Sequence, residues 1–475
     1  MHKLAKLHTK SSLKIFIGFI FAGVFIFLAI REMLIKEIFA PYVFEEWLIN
    51  YTQGFIRRGL PGTALLYLKN HLYLDIYIAL KFFSYLTFLT FALLYIFRIT
   101  RIWNIISALP LITILFLPSL VMFPLFESEV LGRKEILFFF LLFLNLSFID
   151  RAIKQNTESD ETGDIIKFSS EIISGYSKNI LIFFNILAIP ISLCHESFIF
   201  LSLPVNFVIT TSLLMQEKPP LMATLNSLAL YLPTITSCFL CLFIFFGNTK
   251  TAIGICESWK EINYHTLGAN LDCLNELPNV LGYLGKSAGD FAREVINSNI
   301  ISENGYGIFL WTLILGSNAI TLIAASRISI SSLLESVETK NSPTILDNPG
   351  KTAFFVHYVT KYLLFPLLIC LPLFFFAMDW GRWFFVISTN YVICFTNINL
   401  IRLEHRNNHK KLPLASNEYL IRMFTLPERS RIIQISLAVI SIFAIFISRV
   451  PYYNIRFDYL YIGLFNKFLG LLEML

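Results

Sequence analysis

Long apolar runs separated by short polar intervals occupy almost the whole chain. A transmembrane helix needs about 20 mainly apolar residues, and that length predicts about 11 spans. They lie near 13 to 31, 76 to 98, 104 to 123, 135 to 149, 179 to 194, 197 to 215, 222 to 246, 306 to 325, 357 to 377, 383 to 401 and 432 to 449. The two runs that meet at His195 read equally as one bent span. A charged REMLIKE stretch, with no small-residue cleavage site, follows the first run, so that run is expected to stay as an anchor. The expected fold class is all-α: a polytopic integral membrane protein, with 1–475 forming one integral membrane domain. Within it, 31–75 reads as an outer loop with an interfacial helix and 150–178 as a cytoplasmic linker. The stretch 247–305 reads as a larger extracytoplasmic loop between the seventh and eighth spans, and 402–431 as a basic cytoplasmic loop.

Composition supports this pattern. Of 475 residues, 56% are hydrophobic and 15% charged, against about 45–50% and about 25% in soluble domains. The net charge of +6 falls mostly in loops, where Lys and Arg orient a membrane chain. Lys3, Lys6, Lys10 and Lys14 precede the first span and place the N-terminus in the cytoplasm. Alternating sides then puts Arg98, Arg101, Arg151, Lys154, Lys167, Lys178, Lys218, Arg327, Lys340 and Lys351 on that same side. The cluster Arg402, Arg406, Lys410, Lys411, Arg422, Arg429 and Arg431 joins them. Merging the runs at His195 would send this last cluster outside, so the positive-inside rule favours two spans. The expected location is the bacterial inner (cytoplasmic) membrane. No basic, aromatic-interleaved patch points to nucleic acid.

Cysteine spacing gives no metal site. Cys238 and Cys241 lie in an apolar CFLC run and read as packing residues. Cys256 and Cys273 share the large outer loop, where a disulfide would persist, and are as readily bridged as free. No Walker sequence, Rossmann fingerprint or HEXXH appears, so a nucleotide engine or zinc protease has no support in the sequence. No cofactor is implied, and a divalent metal has no support in the sequence.

The candidate chemistry comes from polar clusters that fall on the predicted outer side. FEEWLINYTQGFIRRGLPG carries Glu45, Glu46, Arg57 and Arg58, and FESEVLGRKEI carries Glu127, Glu129, Arg133, Lys134 and Glu135. CHES holds His195 and Glu196, and MDWGRW holds Asp379, Trp380 and Arg382. Ionisable groups at membrane depth usually face a protein interior or a water-filled cavity. The cations Arg57, Arg58, Arg133, Lys134 and Arg382 suit a phosphate or pyrophosphate. Glu45, Glu46, Glu127 or Asp379 would take a proton from an attacking hydroxyl, with His195 as a rival base. The simpler reading is snorkelling at span ends, with GFIRRGLPG as an interfacial helix broken by Gly59, Pro61 and Gly62 and MDWGRW as an interface belt.

With its long apolar profile, its large outer loop and its outward-facing GFIRRG, GRKE, HES and DWGRW, the chain resembles the bacterial O-antigen and capsular polysaccharide polymerases. It is also similar to the wider GT-C-type glycosyltransferases that use polyprenyl-phosphate sugars. The resemblance implies a periplasmic transfer in which a sugar hydroxyl attacks an anomeric carbon and an undecaprenyl phosphate or pyrophosphate departs. It implies an acidic base or metal ligand in the first outer loop, Glu45 or Glu46 here, and lipid-pyrophosphate contacts from Arg57, Arg58, Arg133 and Arg382. The implied partners are polyprenyl-linked oligosaccharide, membrane lipids and a chain-length regulator or other envelope-assembly protein. Two departures stand out: EE replaces the Asp-containing motifs of many GT-C members, and the largest loop comes earlier than in many polymerases. A transporter or flippase of lipid-linked oligosaccharide, and a non-catalytic membrane scaffold, are the rival expectations.

Overall fold

The computed structural model describes residues 2–35, 41–158, 169–259, 273, 279–286, 288–302, 304–341, 348–409, 431–452 and 455. All regular structure among them is helical. Seven helices are long and apolar enough to cross a membrane: Ser12–Met33, Ile76–Ile102, Ile136–Gln155, Ser170–Cys194, Pro220–Ile244, Gly307–Leu334 and Lys351–Phe375. Trp380–Phe395 and Ile398–His405 make an eighth if the pair, bent by 75°, counts as one span. Phe19, Phe82, Leu93, Phe243 and Leu368, each more than half exposed, lie on the outer faces of these helices. Lipid accepts such faces and water does not. The chain is a multi-pass helical membrane protein.

Three expected spans differ from single long helices. The run at 104 to 123 folds as Ala108–Phe116 and Phe123–Phe126 with irregular backbone between them. The run at 197 to 215 folds as Phe198–Leu201 and Leu203–Leu214, and the last run as Arg431–Ile442 continuing to 447. The first two are largely buried in the bundle, and broken backbone is tolerated at membrane depth where protein, not lipid, surrounds it. Their open carbonyls find donors on Trp380–Phe395, a helix buried along its entire length. From that helix Ser388 donates to the Ser119 carbonyl at 2.8 Å and Asn390 to the Leu201 carbonyl at 3.0 Å.

Hydrogen bonds fix the direction of the stretches around His195. Asn185 donates to the Leu230 carbonyl and Ser192 bonds Ser237, so Ser170–Cys194 and Pro220–Ile244 run parallel. Thr210 bonds Tyr231 and Thr211 donates to Ser227, so Leu203–Leu214 runs against Pro220–Ile244. The two stretches therefore form a hairpin that turns at His195, Glu196 and Ser197, which excludes one bent span.

The linker expected at 150–178 is mostly helix where it is described, because Ile136–Glu158 and Ser170–Asn179 extend into it from both sides. Residues 159–168, with Lys167, lie outside the described residues. The basic segment 402–431 starts as helix, to His409; its residues 410–430, with Lys410, Lys411, Arg422 and Arg429, also lie outside them. GFIRRGLPG is not an interrupted helix, since Gly59–Leu72 begins inside it. Pro61 sits in that first turn, where its missing N–H has no helical partner to lose.

A small second core lies against one end of the bundle. Val43, Phe44, Trp47, Ile56 and Leu65 pack with Ala252, Ile255, Trp259, Val280 and Leu281, which joins two segments far apart in sequence into one cap. Cys256 and Cys273 form a disulfide within it.

The start of the central helix also touches the chain beyond the last span. A Cβ on Gly381 would collide with the Pro451 carbonyl oxygen and crowd the Val450 side chain at 3.2 Å. Gly381→Ala is expected to lower stability by about 1–3 kcal/mol, as overpacking does, read as a fall in the unfolding temperature of the detergent-solubilised chain. Gly316→Ala, where an added Cβ inside a helix meets nothing within 4 Å, is expected to hold or slightly raise it.

Candidate functional site

Residues 46 to 59 are pinned from several directions. The Trp47 indole N–H donates to the Gly132 carbonyl at 2.7 Å and that of Trp259 to the Leu48 carbonyl at 2.7 Å. The Arg57 amide donates to the Phe245 carbonyl at 2.8 Å. Arg58 adopts a left-handed backbone, φ 63°, a conformation that disfavours a residue bearing a Cβ and persists when surrounding contacts hold it. Here those contacts are ionic.

Arg58 binds two carboxylates from different parts of the chain. Its Nη1 lies 3.1 Å from Glu46 Oε1, while its Nε and Nη2 reach Glu196 at 2.9 and 2.8 Å. Arg57 Nη1 approaches the same Glu196 at 3.6 Å. The other oxygen of Glu46 pairs with Arg133, whose guanidinium also bonds Tyr452 and lies over the Tyr42 ring at 4.5 Å. Lys134 donates to the Glu46 backbone carbonyl at 2.9 Å and sits over the Trp47 ring at 5.2 Å. On the far side Arg382 bridges Glu135 at 2.8 Å and Asp379 at 2.5 Å.

His195 joins the two halves. Its Nδ1 accepts from the Ser197 amide at 3.3 Å and lies 2.7 Å from the Ser197 hydroxyl. An accepting Nδ1 leaves the proton on Nε2, and Nε2 faces Glu135 at 3.1 Å and Glu46 at 3.4 Å. The imidazole is thus a bridge between two carboxylates and not a free base.

Four carboxylates (Glu46, Glu135, Glu196 and Asp379) meet five cations (Arg57, Arg58, Arg133, Lys134 and Arg382) around His195. The Nε atoms of Arg57, Arg133 and Arg382 are buried without a hydrogen-bond partner. Burial by itself would raise the pKa of Glu46, but Arg133, Lys134 and Arg58 outweigh it and hold the carboxyl well below the usual range. Burial likewise opposes, and Arg58 and Arg57 overcome it, at Glu196, whose carboxyl is also held low. Burial lowers the Lys134 ammonium against the pull of Glu46. The cluster opens to its surroundings at Arg57, Arg58 and Asp379, with 22%, 23% and 16% of their side chains exposed.

Ten of the residues singled out in the sequence thus converge, from four segments. The others are placed differently. Glu45 turns to the cap and accepts from the Val280 amide at 3.3 Å, and burial raises its pKa. Glu127 pairs with Arg449 at 2.7 Å, and Glu129 is half-buried on the short helix Ser128–Leu131. Trp380 is packed against Trp311 and Phe374, its N–H donating to the Phe374 carbonyl at 2.9 Å, so its ring is a packing element. Sequence reasoning missed Tyr42, Ser197 and Tyr452. Ser197 is the last residue of CHES, but nothing local marks Tyr452, which lies more than 300 positions from Arg133. Among the described residues no group of three or more His, Cys, Asp or Glu is arranged to hold a metal ion.

No protein-family model, curated protein or solved structure matches the chain. Its class, a multi-pass helical membrane protein with a buried ionic cluster at one end, rests on its own residues.

Glu196 lies outside the long apolar helices, so its titration reads the cluster directly. Its folded pKa is depressed, so its stabilising contribution is present above the unfolded carboxylate pKa and is lost as pH falls through the folded value. The unfolding temperature in detergent is expected to hold to about pH 4.5 and to drop below it. Glu196→Gln is expected to lower stability at pH 7 by about 1–3 kcal/mol, because it removes the carboxylate paired with Arg57 and one of the two that hold Arg58, and to make the acid limb shallower. An acid limb of unchanged steepness in this variant would mean that other groups set it.

Proposed function

We propose that the protein is a membrane glycosyltransferase or polymerase of cell-envelope polysaccharide assembly, which transfers glycan from an undecaprenyl phosphate or pyrophosphate carrier to a sugar hydroxyl. In this reading the chain crosses the bacterial inner membrane eleven times from a cytoplasmic N-terminus, three crossings being made by the broken or shorter helices. The ionic cluster then faces the periplasm. The cap lies on the same side, which suits its disulfide.

The observation that carries the proposal is the convergence of five cations and four carboxylates on one end of the bundle, with Arg57 and Arg58 at its exposed edge. Guanidinium groups at such an edge are suited to a phosphoryl group. Arg57 and Arg58, the exposed members, would receive the lipid phosphate and stabilise the charge that develops on it as the anomeric C–O bond breaks. Asp379 is the most exposed carboxylate of the cluster and would accept the proton of the attacking hydroxyl. Glu46 and His195 would hold Arg58, Arg133 and Glu135 in place. The energy comes from the phosphate-linked sugar itself.

Transport is the second reading, and one observation favours it. Asn145, Tyr176, Asn206, Thr210 and Tyr231 form a buried polar network among the long helices. These groups are uncharged and bond one another, which is also how helices are fastened together in lipid.

The test is envelope polysaccharide length on gels, in a deletion strain complemented with wild type, Arg58→Ala, Asp379→Asn, Glu46→Gln or His195→Ala, each matched for membrane level. Loss of long chains in the deletion, carrier lipid bearing a single repeat unit, and failure of Arg58→Ala and Asp379→Asn to restore more than about 1% of polymer are expected. A repeat unit lacking one sugar would favour the single-sugar transferase. Unchanged polysaccharide in every strain would overturn both versions.

A further inference from the structure

At the end of the bundle away from the ionic cluster, two clefts share the lining residues Arg151 and Gln155. One, of about 790 Å³, lies between the ends of Ile76–Ile102 and Ile136–Glu158 and the start of Ile398–His409, and is lined by Arg101, Arg151, Lys154, Asn399, Arg402 and Asp150. Its carboxylate is already engaged. Asp150 pairs with Arg98 at 2.7 Å and accepts from Asn397 and Asn399 at 3.2 and 3.0 Å. Arg101 stands 3.5 Å from it and lies over the Phe97 ring at 4.6 Å, which fixes its position. Arg101, Arg151, Lys154 and Arg402 line this cleft, and Arg98, a buried residue behind it, pairs with its Asp150.

The second cleft, of about 410 Å³, shares Arg151 and Gln155 with the first and has walls of Phe148, Ala152, Ile172, Ile182 and Phe183. Phe148 is one turn before Ala152 on a helix running toward this end, and Ile182 and Phe183 lie one turn beyond Lys178 on a helix leaving it. The apolar walls are therefore on the membrane side of the cations. A positive seat continued inward by an apolar groove has the polarity of an amphiphile with an anionic head.

We propose that these adjacent clefts bind an anionic phospholipid, its headgroup phosphate against Arg101, Arg151, Lys154 and Arg402 and one acyl chain along Phe148, Ile182 and Phe183. Basic pockets between membrane helices recognise such headgroups, and guanidinium groups bind phosphate in bidentate fashion. The lipid would clamp the ends of three helices and leave the ionic cluster untouched, so the assignment is independent of the proposed transferase activity.

The experiment is native mass spectrometry of the full detergent-solubilised chain with phosphatidylglycerol, phosphatidylcholine or inorganic phosphate. Phosphatidylglycerol is expected to bind in preference to phosphatidylcholine, and the preference is expected to fall about fivefold for each cation removed in Arg151→Gln and Arg402→Gln. Arg151→Lys, which keeps the charge, is expected to retain most of it. Lys218→Gln, which removes a cation that does not line the cleft, is expected to change nothing. Equal binding of the two lipids, a preference that survives the double variant, or an equal loss in Lys218→Gln would overturn the proposal. Displacement of the lipid by millimolar inorganic phosphate would overturn the lipid in favour of a free-phosphate seat.

Discussion

The cost of burying charge is the constraint on which the rest of this structure depends. Glu46 is fully buried, and an isolated carboxylate in such a place would have to give up its charge or drag water in. It is held instead by Arg58, Arg133 and His195, and Lys134 bonds its own backbone carbonyl. Each of these has a further partner: Arg58 reaches Glu196, Arg133 reaches Tyr452, and His195 reaches Glu135 and, through it, Arg382 and Asp379. Each member that leaves takes a partner from its neighbour, so segments far apart in sequence are held against one another by charge.

The central helix Trp380–Phe395 carries that constraint into the bundle. Its first turn holds Arg382 in the ionic cluster, and its middle supplies Ser388 and Asn390 to the two broken stretches. At its far end Asn397 accepts from the Leu400 amide at 3.0 Å, capping the helix that follows the bend, and reaches Asp150. At about 1.5 Å per residue, its 16 residues span ~24 Å. One buried rod thus connects the ionic cluster with the basic cleft at the opposite end.

Much of the architecture was legible because lipid imposes a simple ruler. Spans such as Ile76–Ile102 and Pro220–Ile244 meet that ruler within a few residues. The ruler fails for Ala108–Phe116 and Leu203–Leu214, which are as apolar as a span but face protein, where length and continuity are no longer enforced. The hairpin at His195 is decided by which residues of Pro220–Ile244 lie opposite, and a single sequence does not contain that information. At the site, the charges themselves could be read, because Glu46, Arg58, Arg133, Glu196 and Arg382 are anomalous beside apolar runs. Their pairing could not. Glu45 and Glu46 are neighbours in sequence, yet one binds the cap and the other binds the cluster. Tyr452 is ordinary in its local context and becomes part of the cluster only through the approach of Pro451 to Gly381.

The shared core of the cap has a consequence in time. Its first half, around Val43 to Leu80, leaves the ribosome well before its second half, Ala252 to Leu284. At ~5–20 residues per second, the roughly 170 intervening residues take about 10–30 s to make. During that interval Trp47, Phe44 and Ile56 lack the residues they finally pack against, and Glu46 and Arg58 wait for Arg133 and Glu196. Biogenesis is therefore ordered: the early outer segment must be sheltered by the insertion machinery or the membrane surface, and the cap can close only after most of the helices have been inserted.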